Sequence, residues 1–367
     1  MAVLLVAATV QKRSGSAWAA LVAGLALAFS SWLWSQALIV EVYTMAALFS
    51  SLTLYAVRSA TARRFLPWAI VGLSLGLGVS THVTVLFLIP YAVLGRQVHW
   101  RGLAVGLCAG LVPYLLLPLR GPWPQPWGDL TTLAGWAEYV SARLYWGNAF
   151  TLPLTDWPAR ILAWASLMTR QLTPLGALIA IAGAGHTWSA NRQQMLGGAI
   201  SFALATLYAI GYNAPDSWVY LVAYLPLVAL SVGDGIKWLV DQPWLTSAAR
   251  SAVGLVIPLL LVALNWQSVT LSHDAQVMAW ISGTLSALPA DAVVLTDQDR
   301  HTFALWYATE AVAFRPDVTV VDQRLLGYAA YDAFLDAVLD GGVRGLTLAS
   351  GGRPLCRIGE QDEVTCE

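Results

Sequence analysis

Charge is what this sequence has least of. Only 11% of its 367 residues are Asp, Glu, Lys or Arg, against roughly 25% in an ordinary soluble domain. The formal net charge is −1, and no block of like charge is present to act as a basic arm or acidic tail, so nucleic acid is not an expected partner. Cysteine is scarce too, with Cys108 in an apolar segment and Cys356 and Cys366 near the C-terminus. That excludes a disulfide framework, and there is no CxxC pair. Cys356 and Cys366 could bridge if their end of the chain lies outside the cytoplasm, but spacing alone leaves the point open. There is no Gly-rich phosphate loop and no nucleophile elbow, and the five histidines show no paired ligand spacing. The residues therefore imply no cofactor, and leave a divalent metal requirement open.

Apolar residues dominate at 57%, the composition of a membrane protein. The expected fold is mainly α, a polytopic membrane helical bundle over 1–271, followed by a small extracytoplasmic α/β domain over 272–367. Apolar segments fall at about 18–38, 42–57, 66–80, 83–95, 102–119, 174–187, 195–212, 217–232 and 251–267. Residues 1–10 are also apolar but precede the charged QKR, the wrong order for a signal peptide. Ten residues are too few to cross a core of about 30 Å, so the chain reads as starting inside a helix.

As one helix, 18–57 would be roughly 60 Å long, twice the core. The chain must turn between Ser35 and Tyr43, which puts Glu41 at a membrane surface. There the carboxylate avoids the roughly 2.5–3.5 kcal/mol that a charge costs at a helix centre. Basic residues fall in alternate loops: Lys12 and Arg13, then Arg58, Arg63 and Arg64, Arg96 and Arg101, Arg192, and finally Lys237 and Arg250. The loops at Glu41, at Thr81–His82 and at 212–217 have none. By the positive-inside rule the first set is cytoplasmic and the second faces outward. For 66–95 to obey it, two short tilted helices must meet at GVSTHVTV. After PYLLLPLR comes a Pro- and Trp-rich stretch, GPWPQPWGDL, then WAEYVSARLYWGNAF, suited to helices lying in the interface. This outer-face region runs from about 120 to 172. Beyond 272, DAVVLTD, DVTVVD and RGLTLAS read as buried strands and DRHTFALWYATEAVA and YAAYDAFLDAVLD as helices between them, a small parallel layer.

Four polar features collect on the outer face: Glu41 with Tyr43, His82, Arg120 with Trp127 and Asp129, and Asp216 with Tyr220 in YNAPDSWVY. Ionisable residues at membrane depth point to function, but each has a plainer reading. Glu41 could be a base, an orienting acid or a solvated turn carboxylate. His82 could bind substrate or be a hydrogen-bonded core histidine. Arg120 could hold a lipid-linked phosphate bidentately or simply snorkel. Asp129 is better placed to cap the helix that follows than to bind substrate. TDQDRH, at the carboxyl end of the first strand, lies where α/β sheets place ligand crevices, though solubility explains it as well.

In order, SQALIVEVYTMAALF, GLSLGLGVSTHVTVLFLIP, PLRGPWPQPWGD, YNAPDSWVYLVAYLPLVALSVGDG and ALPADAVVLTDQDRHTFALWYATEAVAFRPDVTVV span nearly the whole chain. This series resembles bacterial membrane proteins related to the eukaryotic transmembrane O-mannosyltransferases, of the GT-C superfamily of glycosyltransferases. The resemblance implies an integral protein of the bacterial plasma membrane that moves a sugar from a polyprenyl-phosphate carrier to an acceptor hydroxyl on a protein or glycan, at the outer face. Arg120 would then meet the phosphate, Glu41 and His82 would orient substrate, and Tyr43, Trp127, Asp129, Asp216 and Tyr220 would line its site. It also implies a preceding helix and a first outer loop with the catalytic acid. The chain does not include them, so on its own it is expected to be inactive. Two other classes remain in view: a transporter or flippase of an amphipathic substrate, which would predict internal repeats that the sequence does not show, and a noncatalytic membrane scaffold.

Overall fold

The computed structural model describes residues 1–60, 64–120, 129–271, 275–339, 342, 352–359 and 362–366. They form two compact units, Met1–Leu115 with Gly147–Leu271, and Leu116–Trp146 with Ser272–Glu367.

The first unit is helical. It opens with α1 (Ala2–Ser14), α2 (Ala17–Ala28), α3 (Ser31–Gln36) and α4 (Tyr43–Ser59). The turn expected between Ser35 and Tyr43 is present, since 37–42 are non-helical. A second break at Phe29–Ser30 was not expected. Its backbone groups are met from other helices: the Asn265 amide donates to the Phe29 carbonyl at 2.9 Å, and Trp32 N–H donates to Gln171 Oε1 at 2.9 Å. Buried backbone polar groups require such partners.

The 66–95 segment also divides as the charge pattern requires. Helix α5 (Phe65–Thr81) stops at His82, which is extended at φ −156° and ψ 126°, and a 3-10 turn over Val83–Leu88 leads into α6 (Ile89–Val93). Against α5 packs α7 (Trp100–Gly110), at backbone contact. A Cβ added at Gly72 would lie 2.1 Å from the Leu103 carbonyl oxygen, and one at Gly106 would lie 2.0 Å from that of Ala69. Small residues four apart on both helices permit this approach, which sets where α5 ends and hence where His82 stands.

After α8 (Val112–Leu116) and α9 (Leu133–Val140), α10 (Trp157–Ala190) is one long helix kinked at Thr173, φ 62° and ψ 161°, just before Pro174. The outer-face region expected to run to about 172 is therefore helical from Trp157 onward. Next come α11 (Arg192–Gly211), a 3-10 run Ser217–Tyr224, α12 (Leu225–Val240) and α13 (Ser247–Val269). Among the described residues, four helical stretches are long and apolar enough to cross a membrane: Trp100–Leu119, Arg192–Gly211, Ser217–Val240 and Ala248–Val269.

The second unit contains α9 together with α14 (Gln276–Ala287), β1 (Val293–Thr296), α15 (Asp299–Trp306), β2 (Thr319–Asp322), α16 (Ala329–Val338), β3 (Leu355–Ile358) and β4 (Val364–Cys366). Sheet order is β2-β1-β3-β4, with β1 parallel to both neighbours and β4 antiparallel to β3. Every residue of β1 is buried: Val294 joins the core on one face, while Val293 and Leu295 join that on the other. A strand covered on both sides reads as an unbroken apolar run, which made VVLT legible. RGLTLAS lies outside the described residues; the third parallel strand is LCRI. Cys356 and Cys366 face each other across β3 and β4 and form a disulfide.

Candidate functional site

At the α5 break, the His82 ring lies 5.5 Å from that of Tyr43 and 4.8 Å from that of Tyr220, between centroids. Tyr43 and Tyr220 are 6.2 Å apart. Tyr212 at 5.3 Å and Tyr208 at 5.8 Å from Tyr220 extend the group. His82 Nδ1 is 2.8 Å from Thr84 Oγ1, leaving Nε2 as the nitrogen able to meet a ligand. Thr84 is fixed in turn, because the Tyr224 hydroxyl donates to its carbonyl. Asp216 is exposed and within electrostatic reach of Tyr220. Tyr43, His82 and Tyr220, far apart in sequence, thus stand around one place.

Glu41 is exposed in the turn that leads into α4, two residues from Tyr43, and its N–H donates to the Ile39 carbonyl at 3.1 Å. Arg120 ends the 3-10 turn Leu117–Arg120; its side chain, and Trp127 entirely, lie outside the described residues. Asp129 belongs to the second unit. It does not cap α9, which begins at Leu133: the cap is Thr132, whose hydroxyl accepts from Gly135 N–H at 3.1 Å. Asp129 Oδ1 instead accepts from the Thr131 amide at 2.9 Å and hydroxyl at 2.5 Å, and these bonds hold its carboxyl below the usual carboxylate range.

The TDQDRH segment is engaged with its own surroundings. Thr302 donates to Asp322 Oδ2 at 3.0 Å, Arg324 pairs with Asp322 and Asp299, and Arg300 and His301 both contact Asp362. Among the described residues no group of three or more His, Cys, Asp or Glu is placed to hold a metal ion.

Two clusters escaped the sequence reading. Arg160 donates to the carbonyls of Ile210 at 2.9 Å, Ala209 at 2.8 Å and Tyr212 at 3.2 Å, and to Ser217 Oγ at 2.6 Å. It also lies 4.5 Å over the Trp218 ring. One guanidinium thus satisfies the orphan carbonyls at the end of α11 and holds the YNAPDSW turn that presents Asp216 and Tyr220. Arg160→Ala is expected to cost roughly 2–3 kcal/mol, as charge-assisted bonds to buried carbonyls do. Unfolding in detergent, followed by circular dichroism, would show it as a lowered midpoint, and an unmoved midpoint would count against this role. The second cluster is an ion pair of Arg13 and Asp234, with Thr187 donating to Asp234 Oδ2 at 2.8 Å. An acid within the apolar stretch VALSVGDGIK was the available signal.

Residues 4–100 match the family model described as Protein O-mannosyl-transferase TMEM260 N-terminal domain, and residues 278–334 match TMEM260-associated domain 2. The mouse (Mus musculus) protein named Protein O-mannosyl-transferase TMEM260 is 26% identical over 376 residues, an alignment covering 88% of this chain and 52% of the mouse protein. The chain spans about half the length of that curated relative. No solved structure matches it. Glu41, Tyr43 and His82 fall inside the first matched region and TDQDRH inside the second, so both units relate the chain to the TMEM260 O-mannosyltransferase family.

Proposed function

We propose that the chain is the donor-binding part of a GT-C type membrane glycosyltransferase. It would carry mannose from a polyprenyl-phosphate lipid to a hydroxyl of a protein acceptor at the extracytoplasmic face of a bacterial plasma membrane. The observation that carries this is the meeting of Tyr220 with His82 and Tyr43, the latter two inside the region similar to an O-mannosyl-transferase. Aromatic faces suit the apolar faces of a sugar ring, and a histidine among them can donate to or accept from its hydroxyls.

The chemistry fits these groups. The acceptor hydroxyl loses its proton to a base as its oxygen bonds to the anomeric carbon; the carbon–oxygen bond to phosphate breaks, and polyprenyl phosphate leaves with the electron pair. Positioning, a base and a cation on the departing phosphate are required. Arg120 is the candidate cation. Glu41 and His82 orient the sugar, and Asp216 accepts from its hydroxyls. The Cys356–Cys366 disulfide supports an oxidising compartment for the C-terminal domain.

The test is transfer of radiolabelled mannose from polyprenyl-phosphate mannose to an acceptor polypeptide by the full-length protein in liposomes. Turnover is expected. Movement of the carrier between leaflets without turnover would instead favour a flippase.

A further inference from the structure

The end of the helical unit away from His82 holds a second cluster with no part in the proposed transfer. Helix α4 sets Tyr43 at its start and Arg58 in its last turn, about 22 Å apart at 1.5 Å per residue. Arg13 is in the last turn of α1, and Arg96 is in the turn after α6. Arg58 and Arg13 are both close enough to Arg96 to disfavour its charge, though burial is the larger cause of its lowered pKa. Arg13 is neutralised by Asp234. Among the described residues Arg58 and Arg96 have no such partner, and buried guanidinium nitrogens of each, Nε of Arg58 and Nε and Nη2 of Arg96, lack a hydrogen-bond acceptor. Buried unpaired donors on a cation are costly, so two such guanidinium groups at this end indicate an anion.

A cavity adjoins them. Arg96 lies 5.7 Å over the Tyr91 ring, and Tyr91 and Arg13 both line a space of about 670 Å³ between α10, α11 and α12. The kink at Thr173 shapes one wall, with Met168 and Leu172 before it and Ala177 and Ile181 after it. Lining residues run along α11 from Gln194 to Thr206, about 18 Å, close to one leaflet of a core about 30 Å thick. The volume would take roughly twenty waters, but the walls are overwhelmingly apolar. A hydrocarbon chain fits them better. At the Arg13 end the Tyr91 hydroxyl is buried without a partner, a donor suited to an ester carbonyl.

We infer that this end of the protein binds one anionic phospholipid, its phosphate on Arg58 and Arg96 and one acyl chain in the cavity beside Tyr91. The one acid in the cluster, Asp234, is engaged by Arg13 and Thr187. A zwitterionic headgroup would therefore bring an ammonium to a positive site that has no free carboxylate for it.

The test uses the full chain in detergent, with unfolding midpoint read against added lipid. Dioleoyl phosphatidylglycerol should raise the midpoint well above the effect of dioleoyl phosphatidylcholine, and inorganic phosphate should have little effect. Arg58→Gln with Arg96→Gln should weaken phosphatidylglycerol binding at least tenfold. Ala199→Trp, which fills the cavity and replaces no arginine, should weaken it too. If the double variant does not fold, the unmutated protein in mixed-lipid nanodiscs, analysed by native mass spectrometry, should retain phosphatidylglycerol above its bulk proportion. Equal midpoints with the two lipids, equal protection by phosphate alone, retention at the bulk ratio, or undiminished preference in the double variant would each overturn the assignment.

Discussion

His82→Ala in the full-length protein is expected to lower mannose transfer about a hundredfold, the scale for a misplaced reactant, while the unfolding midpoint stays near that of the unmutated protein. The argument is geometric. His82 is not part of a helix: it occupies the extended residue between α5 and a 3-10 turn, where its ring meets Tyr43 and Tyr220. Its ring bonds, Nδ1 with Thr84 Oγ1 at 2.8 Å and from the Thr84 amide at 3.4 Å, are both local, so removing the imidazole forfeits little packing but empties the centre of the aromatic group. Thr84→Val provides the control. It frees the ring to turn without deleting it, and a smaller loss of rate is expected. Transfer by His82→Ala within threefold of the unmutated rate would remove His82 from the site.

Gly106→Leu is expected to have the largest effect on stability, a loss of roughly 3 kcal/mol or more, because overpacking here meets backbone instead of yielding side chains. The nearest atoms to an added Cβ would be the Ala69 carbonyl oxygen at 2.0 Å, the Ala69 carbonyl carbon at 2.8 Å and the Leu73 amide nitrogen at 2.8 Å. Helix α7 would have to move away from α5, and the His82 end of α5 would move with it. Thermal unfolding in detergent should show a much reduced midpoint or no folded protein. Gly185→Leu, where no atom lies within 4 Å of the added Cβ, should be nearly silent. A Gly106→Leu midpoint equal to that of Gly185→Leu would refute the close approach.

Breaks in the helices were legible wherever a polar residue interrupted an apolar run too long for one span, as at Glu41 and His82. Hydrophobic length and charge alternation carry that information directly. Strand β1 was equally plain as VVLT. Other features were hidden because local signals point elsewhere. The pair Gly233 and Gly235 around Asp234 has the look of a loop, yet lies within α12, where Gly235 lets the helix reach the Ile179 carbonyl of α10. Arg160, Arg170 and Pro174 interrupt the apolar pattern of α10 enough to mask its first half. The meeting of Tyr43 and Tyr220 at His82 is tertiary and leaves no trace in spacing. Asp129 was expected to cap the next helix, but the cap is Thr132 and the Asp129 bonds belong to a local turn with Thr131, four positions before Leu133.

Strand β4 has three residues and lies at an edge of the sheet, so its few ladder bonds to β3 hold it weakly. The covalent link between Cys356 and Cys366 keeps it there. If the chain were synthesised under reducing conditions, β4 would detach and β3 would become a raw border, with buried Leu355 and Ile358 beside unpaired peptide groups. Such a border recruits strands from other molecules. Recombinant production in a reducing cytosol should therefore give aggregates seeded by this domain, whereas export before folding should avoid them.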